Sequence, residues 1–170
     1  CKGGSGLSIK DSGFGKASSF QNTSEYIGMF LGVVALVKMG VRDADVLIRG
    51  DSTTALSWVT EGRMSGVHAI NAAVVVTALY IRFGIRPRYA TFLSGVNNHK
   101  CDRLSRLEEK GLTVKQAMIQ NGYGEAPIFD LRDNESTDTL IRMCDPKVKI
   151  EHEDDFTALW QTVRGAIESL

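Results

Sequence analysis

The run Asp45-Val-Leu-Ile-Arg-Gly-Asp51-Ser-Thr-Thr-Ala-Leu-Ser-Trp-Val-Thr-Glu61 demands a strand that passes at once into a helix. Val46, Leu47 and Ile48 form a short apolar run of buried-strand type, and Ser52 to Thr60 reads as a helix with Ala55, Leu56 and Val59 inward. Asp51 stands between them, at the carboxyl end of a strand, where open α/β folds collect their chemistry. An aspartate before Ser-Thr-Thr is also a good helix N-cap, stabilising by about 1 kcal/mol with no catalytic role. Taken alone, the cap is the default reading. The other carboxylates of the chain change that balance.

Glu25 to Met39 carries Ile27, Phe30, Leu31, Val34 and Val37 at helical spacing, with Asn22-Thr23-Ser24 as caps and Gly40 as the stop. Glu25 falls in the first turn, where the helix dipole alone favours an acid. Gly28 and Gly32 share its side of the helix and cost about 1 kcal/mol each relative to alanine. Close approach to a sheet is the expected compensation. Upstream, Gly3, Gly4, Gly6, Leu7, Ile9, the turn Asp11-Ser-Gly13 and the weak alternation of Lys16 to Phe20 predict a two-stranded hairpin. The glycines lack the GK[ST] ending of a phosphate loop.

His68 to Phe83 is apolar nearly all round, the profile of a helix packed on two sides. His68 at its start reads as a cap or surface residue. Arg86 to Leu93 is a strand whose arginines either touch phosphates or form a solvated edge. Ser94 to Asn98 is a loop leading into a helix with Asp102 in its first turn. Gly111 ends that helix, Thr113-Val-Lys-Gln116 is a capping box opening a helix to Gln120, and Asn121 to Gly124 turns. Pro127 to Leu131 is expected as a strand and Arg132 to Asp138 as a polar loop. The acidic run Glu151 to Asp155 precedes an amphipathic helix, with Phe156, Leu159, Trp160, Val163 and Ile167 along one side. Such a stripe needs a partner surface, on this chain or another.

With 170 residues and 43% hydrophobic content, the chain can bury one proper core. Twenty basic and twenty acidic residues cancel, so no overall field advertises a nucleic-acid or membrane partner, although a local patch can serve. Cys1, Cys101 and Cys144 are odd in number and far apart, which speaks against a disulfide framework or a zinc site. The apolar windows are too short or too interrupted to span a bilayer. The expectation is a soluble intracellular protein of the cytoplasm or nucleus, with its oligomeric state open. Cys1 is not a start methionine, and Lys2 to Ile9 looks like the middle of a hairpin, so a fragment or processed product is expected.

Glu25, Asp51 and Asp102 are three carboxylates delivered by three elements. Gathered without counter-charge they would raise each other's pKa. Hard oxygen ligands of this kind suit Mg²⁺ or Mn²⁺, and two such ions roughly 3.5 to 4 Å apart can clamp the attacking and leaving oxygens of a phosphodiester.

The order Asn22-Thr-Ser-Glu25, Ile48-Arg-Gly-Asp51-Ser-Thr-Thr-Ala-Leu and Gly95-Val-Asn97-Asn-His-Lys-Cys-Asp102-Arg-Leu-Ser-Arg106 resembles the ribonuclease H domain of gypsy-type and DIRS-type retroelement reverse transcriptases. The last stretch is similar to that family's Gly-x-x-Asn-x-x-Ala-Asp-x-Leu-Ser-Arg segment, with Cys101 in place of alanine. The resemblance covers roughly Gly3 to Leu107. It implies an α/β fold with a ribonuclease-H-like mixed sheet flanked by helices over residues 1–110; it does not explain the C-terminal, mostly helical extension over 111–170, whose role stays open. It implies Glu25, Asp51 and Asp102 as metal ligands, His68 without a catalytic role, and His99 as a candidate for the histidine of the family's last loop or as an exposed residue. The implied activity is metal-dependent hydrolysis of the RNA strand of RNA/DNA hybrids during reverse transcription, beside a polymerase domain of the same polyprotein. The family's further aspartate, on a first strand upstream of the hairpin, is not in this sequence, and Asp11 at the hairpin turn is not its equivalent. The competing expectation is a non-catalytic module of the same fold with a structural or nucleic-acid-binding role. Another nuclease or an integrase of that fold would call for a zinc-binding or basic segment, which the sequence lacks.

Overall fold

The computed structural model describes residues 18–62, 64, 69–105, 107–126, 131, 134–145 and 147–170, the side chains of 18–20, 102, 105 and 108 excepted. Among the described residues seven α-helices and two strands follow one another as α1 (Ser18–Lys38), β1 (Asp45–Gly50), α2 (Thr53–Glu61), α3 (Ile70–Phe83), β2 (Arg86–Phe92), α4 (His99–Ser105), α5 (Val114–Gln120), α6 (Glu135–Met143) and α7 (Glu153–Glu168). The fold is mixed α/β. β1 and β2 pair in parallel, Leu47 opposite Tyr89 and Gly50 opposite Phe92, with a bulge between Val46 and Leu47. Parallel neighbours need a long crossover, and α2 and α3 supply it.

The helices build the core. Phe30, Val34 and Val37 of α1, Val75 and Leu79 of α3, and Val163 of α7 are at most 2% exposed and belong to one apolar cluster. Val46 and Ile48 pack on it from the sheet. α3 lies against α1, α6 and α7, as its all-round apolar profile requires. The stripe on α7 therefore finds its partner on this chain. Asn71, 5% exposed, ties the two together: its amide donates to the carbonyls of Asp145 at 2.9 Å and Val148 at 2.8 Å, in the connection between α6 and α7.

Several expectations are corrected. Ser18 to Phe20 are helical rather than the end of a hairpin, and α1 begins seven residues before Glu25. Glu25 thus lies well inside the helix, where the dipole no longer accounts for an acid. Gly28 and Gly32 are exposed and a Cβ on either would meet nothing within 4 Å, so among the described residues no close approach compensates their cost. Residues 135–138, expected in a polar loop, open α6, which Asn134 caps through Thr137 N at 2.9 Å. Its Thr137, Leu140 and Cys144 are all 0% exposed at helical steps of three and four. On α7 the buried set is Leu159, Val163, Ala166 and Ile167, whereas Phe156 and Trp160 are 45% and 40% exposed. Leu131, the one residue described in the expected strand from Pro127, is not extended. The hairpin up to residue 17, with Asp11, and His68 lie outside the described residues. The Thr113–Gln116 capping box forms as expected.

Candidate functional site

Residues on either side of Asp51 touch α1. A Cβ on Gly50 would lie 2.6 Å from the Met29 methyl, and Ser52 Oγ donates to Asn22 Oδ1 over 3.4 Å. Asn22, Glu25 and Met29 are three and four residues apart, so they form one stripe along the helix. Glu25 is its middle member. Asp51 is thereby set on the same seam, where α1 crosses the carboxyl end of β1.

Asp51 is not the helix cap. Ser52 is: its extended backbone and its Oγ, 3.2 Å from Ala55 N, satisfy the first turn of α2. The exposed Asp51 makes no hydrogen bond or ion pair among the described residues. A free carboxylate in that position has no structural employment.

Glu25 is half-buried. Its Oε1 accepts from Gln21 Nε2 at 3.2 Å, one turn earlier, but its buried Oε2 has no hydrogen-bond partner. A buried polar atom without a partner costs on the order of 1–3 kcal/mol, and more when charged. Such an atom needs an explanation, an ion among them.

The third element leaves the same edge. Leu93 N donates to Gly50 O at 2.8 Å, so the chain that follows β2 starts beside the end of β1. Residues 94–98 turn, through Asn97 N and Asn98 N to Ser94 O, and α4 then carries His99 and Asp102. The Asp102 side chain lies outside the described residues. The exposed His99 has Nδ1 3.3 Å from Val96 O. A carbonyl only accepts, so Nδ1 carries the proton and, in the neutral ring, Nε2 is left as an acceptor.

The opposite edge of the sheet is arranged differently. Asp45 pairs with Arg86 at 2.6 Å and Arg88 at 3.5 Å, and the hydrogen bond from Arg86 holds its carboxyl below the ordinary aspartate range. At the amino edge Asp45 engages two arginines, whereas Asp51 at the carboxyl edge has no partner among the described residues.

Among the described residues no three His, Cys, Asp or Glu side chains form a group that could hold a metal ion, a search that leaves out the Asp102 side chain. Sequence reasoning singled out Glu25 and Asp51 but missed Gln21 and Ser52. Gln21 was legible as an i, i+4 partner of Glu25, and Ser52 as an alternative cap. No helix among the described residues is long and apolar enough to cross a membrane. Comparison with protein-family models, curated proteins and solved structures finds no match.

Proposed function

We propose that the seam between α1 and the carboxyl end of β1 is a divalent-cation site for hydrolysing the RNA strand of RNA/DNA hybrids, in a ribonuclease-H-like domain of a retroelement reverse transcriptase polyprotein. The observation that carries this reading is the buried, unpartnered Oε2 of Glu25 on the stripe that meets residues 50–52. The donor chemistry fits: carboxylate oxygens suit Mg²⁺ or Mn²⁺, and a cation would satisfy the orphaned atom. Glu25, Asp51 and, from α4, Asp102 would hold it.

When bound, one or two such ions would lower the pKa of the attacking water and offset the charge developing on the phosphodiester. The chain's own groups do the remaining work. Gln21 orients the Glu25 carboxylate through Oε1. Ser52, by taking the cap, leaves the Asp51 charge available. His99, with Nδ1 committed to Val96 O, offers Nε2 to a proton in the segment that leaves the sheet beside Gly50. Recognition of the hybrid would rest on its 2′-hydroxyls and phosphates, hence on shape more than on sequence.

The test is cleavage of an end-labelled RNA/DNA hybrid in Mg²⁺ and in Mn²⁺ by the wild-type chain, Asp51→Asn and Glu25→Gln. Cutting by the wild type that both variants lose is the expected result. A cation-dependent rise in melting temperature, absent in Glu25→Gln, reads the site without relying on turnover. Hybrid binding with cation binding but no cutting would move the assignment to a non-catalytic module of the same fold. Neither cation binding nor cutting would sink it.

A further inference from the structure

The sheet has one face against the helices and one that nothing covers among the described residues. Val46 and Ile48 pack on the core, so by strand alternation Leu47 and Arg49 point the other way. The register sets Leu47 opposite Tyr89 and Arg49 opposite Thr91. Leu47 is 49% exposed and Tyr89 68%, and Arg49 and Thr91 are exposed as well. Parallel sheets are normally covered on both faces, so an open one calls for an occupant.

The chemistry of the face selects among occupants. A second layer of protein would carry Arg49 out of water, and Arg49 has no carboxylate partner among the described residues. Burying an unpaired guanidinium is costly. Of the exposed arginines on the two strands, Arg86 and Arg88 are engaged by Asp45, which leaves Arg49 as the one without a carboxylate among the described residues. An exposed tyrosine ring beside an unpaired arginine is the pairing that stacks a base and holds a phosphate.

We propose that this open face, centred on Tyr89 and Arg49, binds a single strand of nucleic acid. A base stacks on the Tyr89 ring and a phosphate pairs with Arg49. The two residues are diagonal neighbours across the strand pair, on the order of 7 Å apart at Cβ. Stacking on a tyrosine accepts any base, so the site has little sequence preference. A duplex keeps its bases inside, so an RNA/DNA hybrid does not compete for the Tyr89 ring. The assignment stands apart from the hydrolytic reading, because it uses neither Glu25 nor Asp51.

Fluorescence anisotropy with labelled oligo-dT and oligo-U tests it on the full chain. Tyr89→Ala weakens binding by roughly tenfold or more, while Tyr89→Phe, which keeps the ring, retains it. Arg49→Gln lowers the log–log salt slope by about 0.7, the share of one phosphate on a single strand. Equal affinity in the wild type and Tyr89→Ala, with matching circular dichroism, overturns the proposal, as does an absence of binding by the wild-type chain at low salt. A wild type that dimerises in sedimentation while Tyr89→Ala does not would give the face to a second copy and overturn it equally. Failure of hybrid cleavage with oligo-dT binding intact leaves this assignment standing and removes only the hydrolytic one.

Discussion

Asn71 and Glu25 are polar side chains on two helices that share one core, and they are treated in opposite ways. Asn71 is buried with both amide hydrogens placed, on the carbonyls of Asp145 and Val148. Glu25 is half-buried with one oxygen placed and the other orphaned. A satisfied amide joins α3 to the connection between α6 and α7 and accounts for itself as structure. An unsatisfied carboxylate weakens the fold where it stands, and that is the cost the proposed cation would offset. The contrast separates a joint from a site more sharply than burial alone.

Breaking the joint gives the largest effect. Asn71→Ala removes two hydrogen bonds and strands the Val148 carbonyl, while Asp145 O keeps the Val148 N–H, and should cost about 2–3 kcal/mol in urea denaturation. A change below about 0.5 kcal/mol would make the two polar groups equivalent and dissolve the contrast.

Glu25→Gln sharpens it from the other side. Without divalent cation the variant should be as stable as the wild type or more so, because it removes a poorly compensated buried charge. With Mn²⁺ the wild type should gain melting temperature and the variant should not, which differential scanning fluorimetry reads directly.

Ser52→Ala should cost about 1 kcal/mol through the lost cap of α2, while Asp51→Ala should cost far less, since Asp51 caps nothing. Equal losses would return Asp51 to a structural role. Gly28→Ala and Gly32→Ala should each stabilise by about 0.5–1 kcal/mol, because both glycines are helical, exposed and open to a Cβ. A destabilised variant would reveal a contact on the Glu25 side of α1.

The smallest effect is on pH dependence. Asp155 accepts backbone hydrogen bonds from Glu151 N and His152 N, which hold its carboxyl below the ordinary aspartate value of 3.8. A depressed folded-state value means stabilisation that is present above that pH and fades as acid is added below it. Asp155→Asn should lose that stabilisation near neutrality and flatten the profile in the acid window, so that urea denaturation finds the two proteins converging as acid is added.

Local chemistry was legible wherever a few adjacent residues decide the outcome. The apolar run at Val46 to Ile48, the strand from Arg86, the helix over Ala55 to Val59 and the Thr113–Gln116 box all form where spacing and capping put them. α6 was hidden because Glu-Ser-Thr-Asp at its start is as polar as a loop, and its apolar step from Leu140 to Cys144 is too short to announce a helix. The early start of α1 was masked by serines that alternate with larger residues as readily as they begin a helix.

The chemical inventory of this protein, three carboxylates on three successive elements and a strand that turns at once into a helix, follows from residue order alone, because side-chain chemistry and short-range spacing need no partner. The parallel register of β1 with β2, the bond from Ser52 to Asn22 on the α1 seam, and the Asn71 joint all depend on groups from about 30 to about 77 residues apart. No local pattern carries that information. Which groups are satisfied and which are left wanting, Glu25 Oε2 and Asn121 Oδ1 among the described residues, is a property of the packed chain and not of any short stretch of sequence.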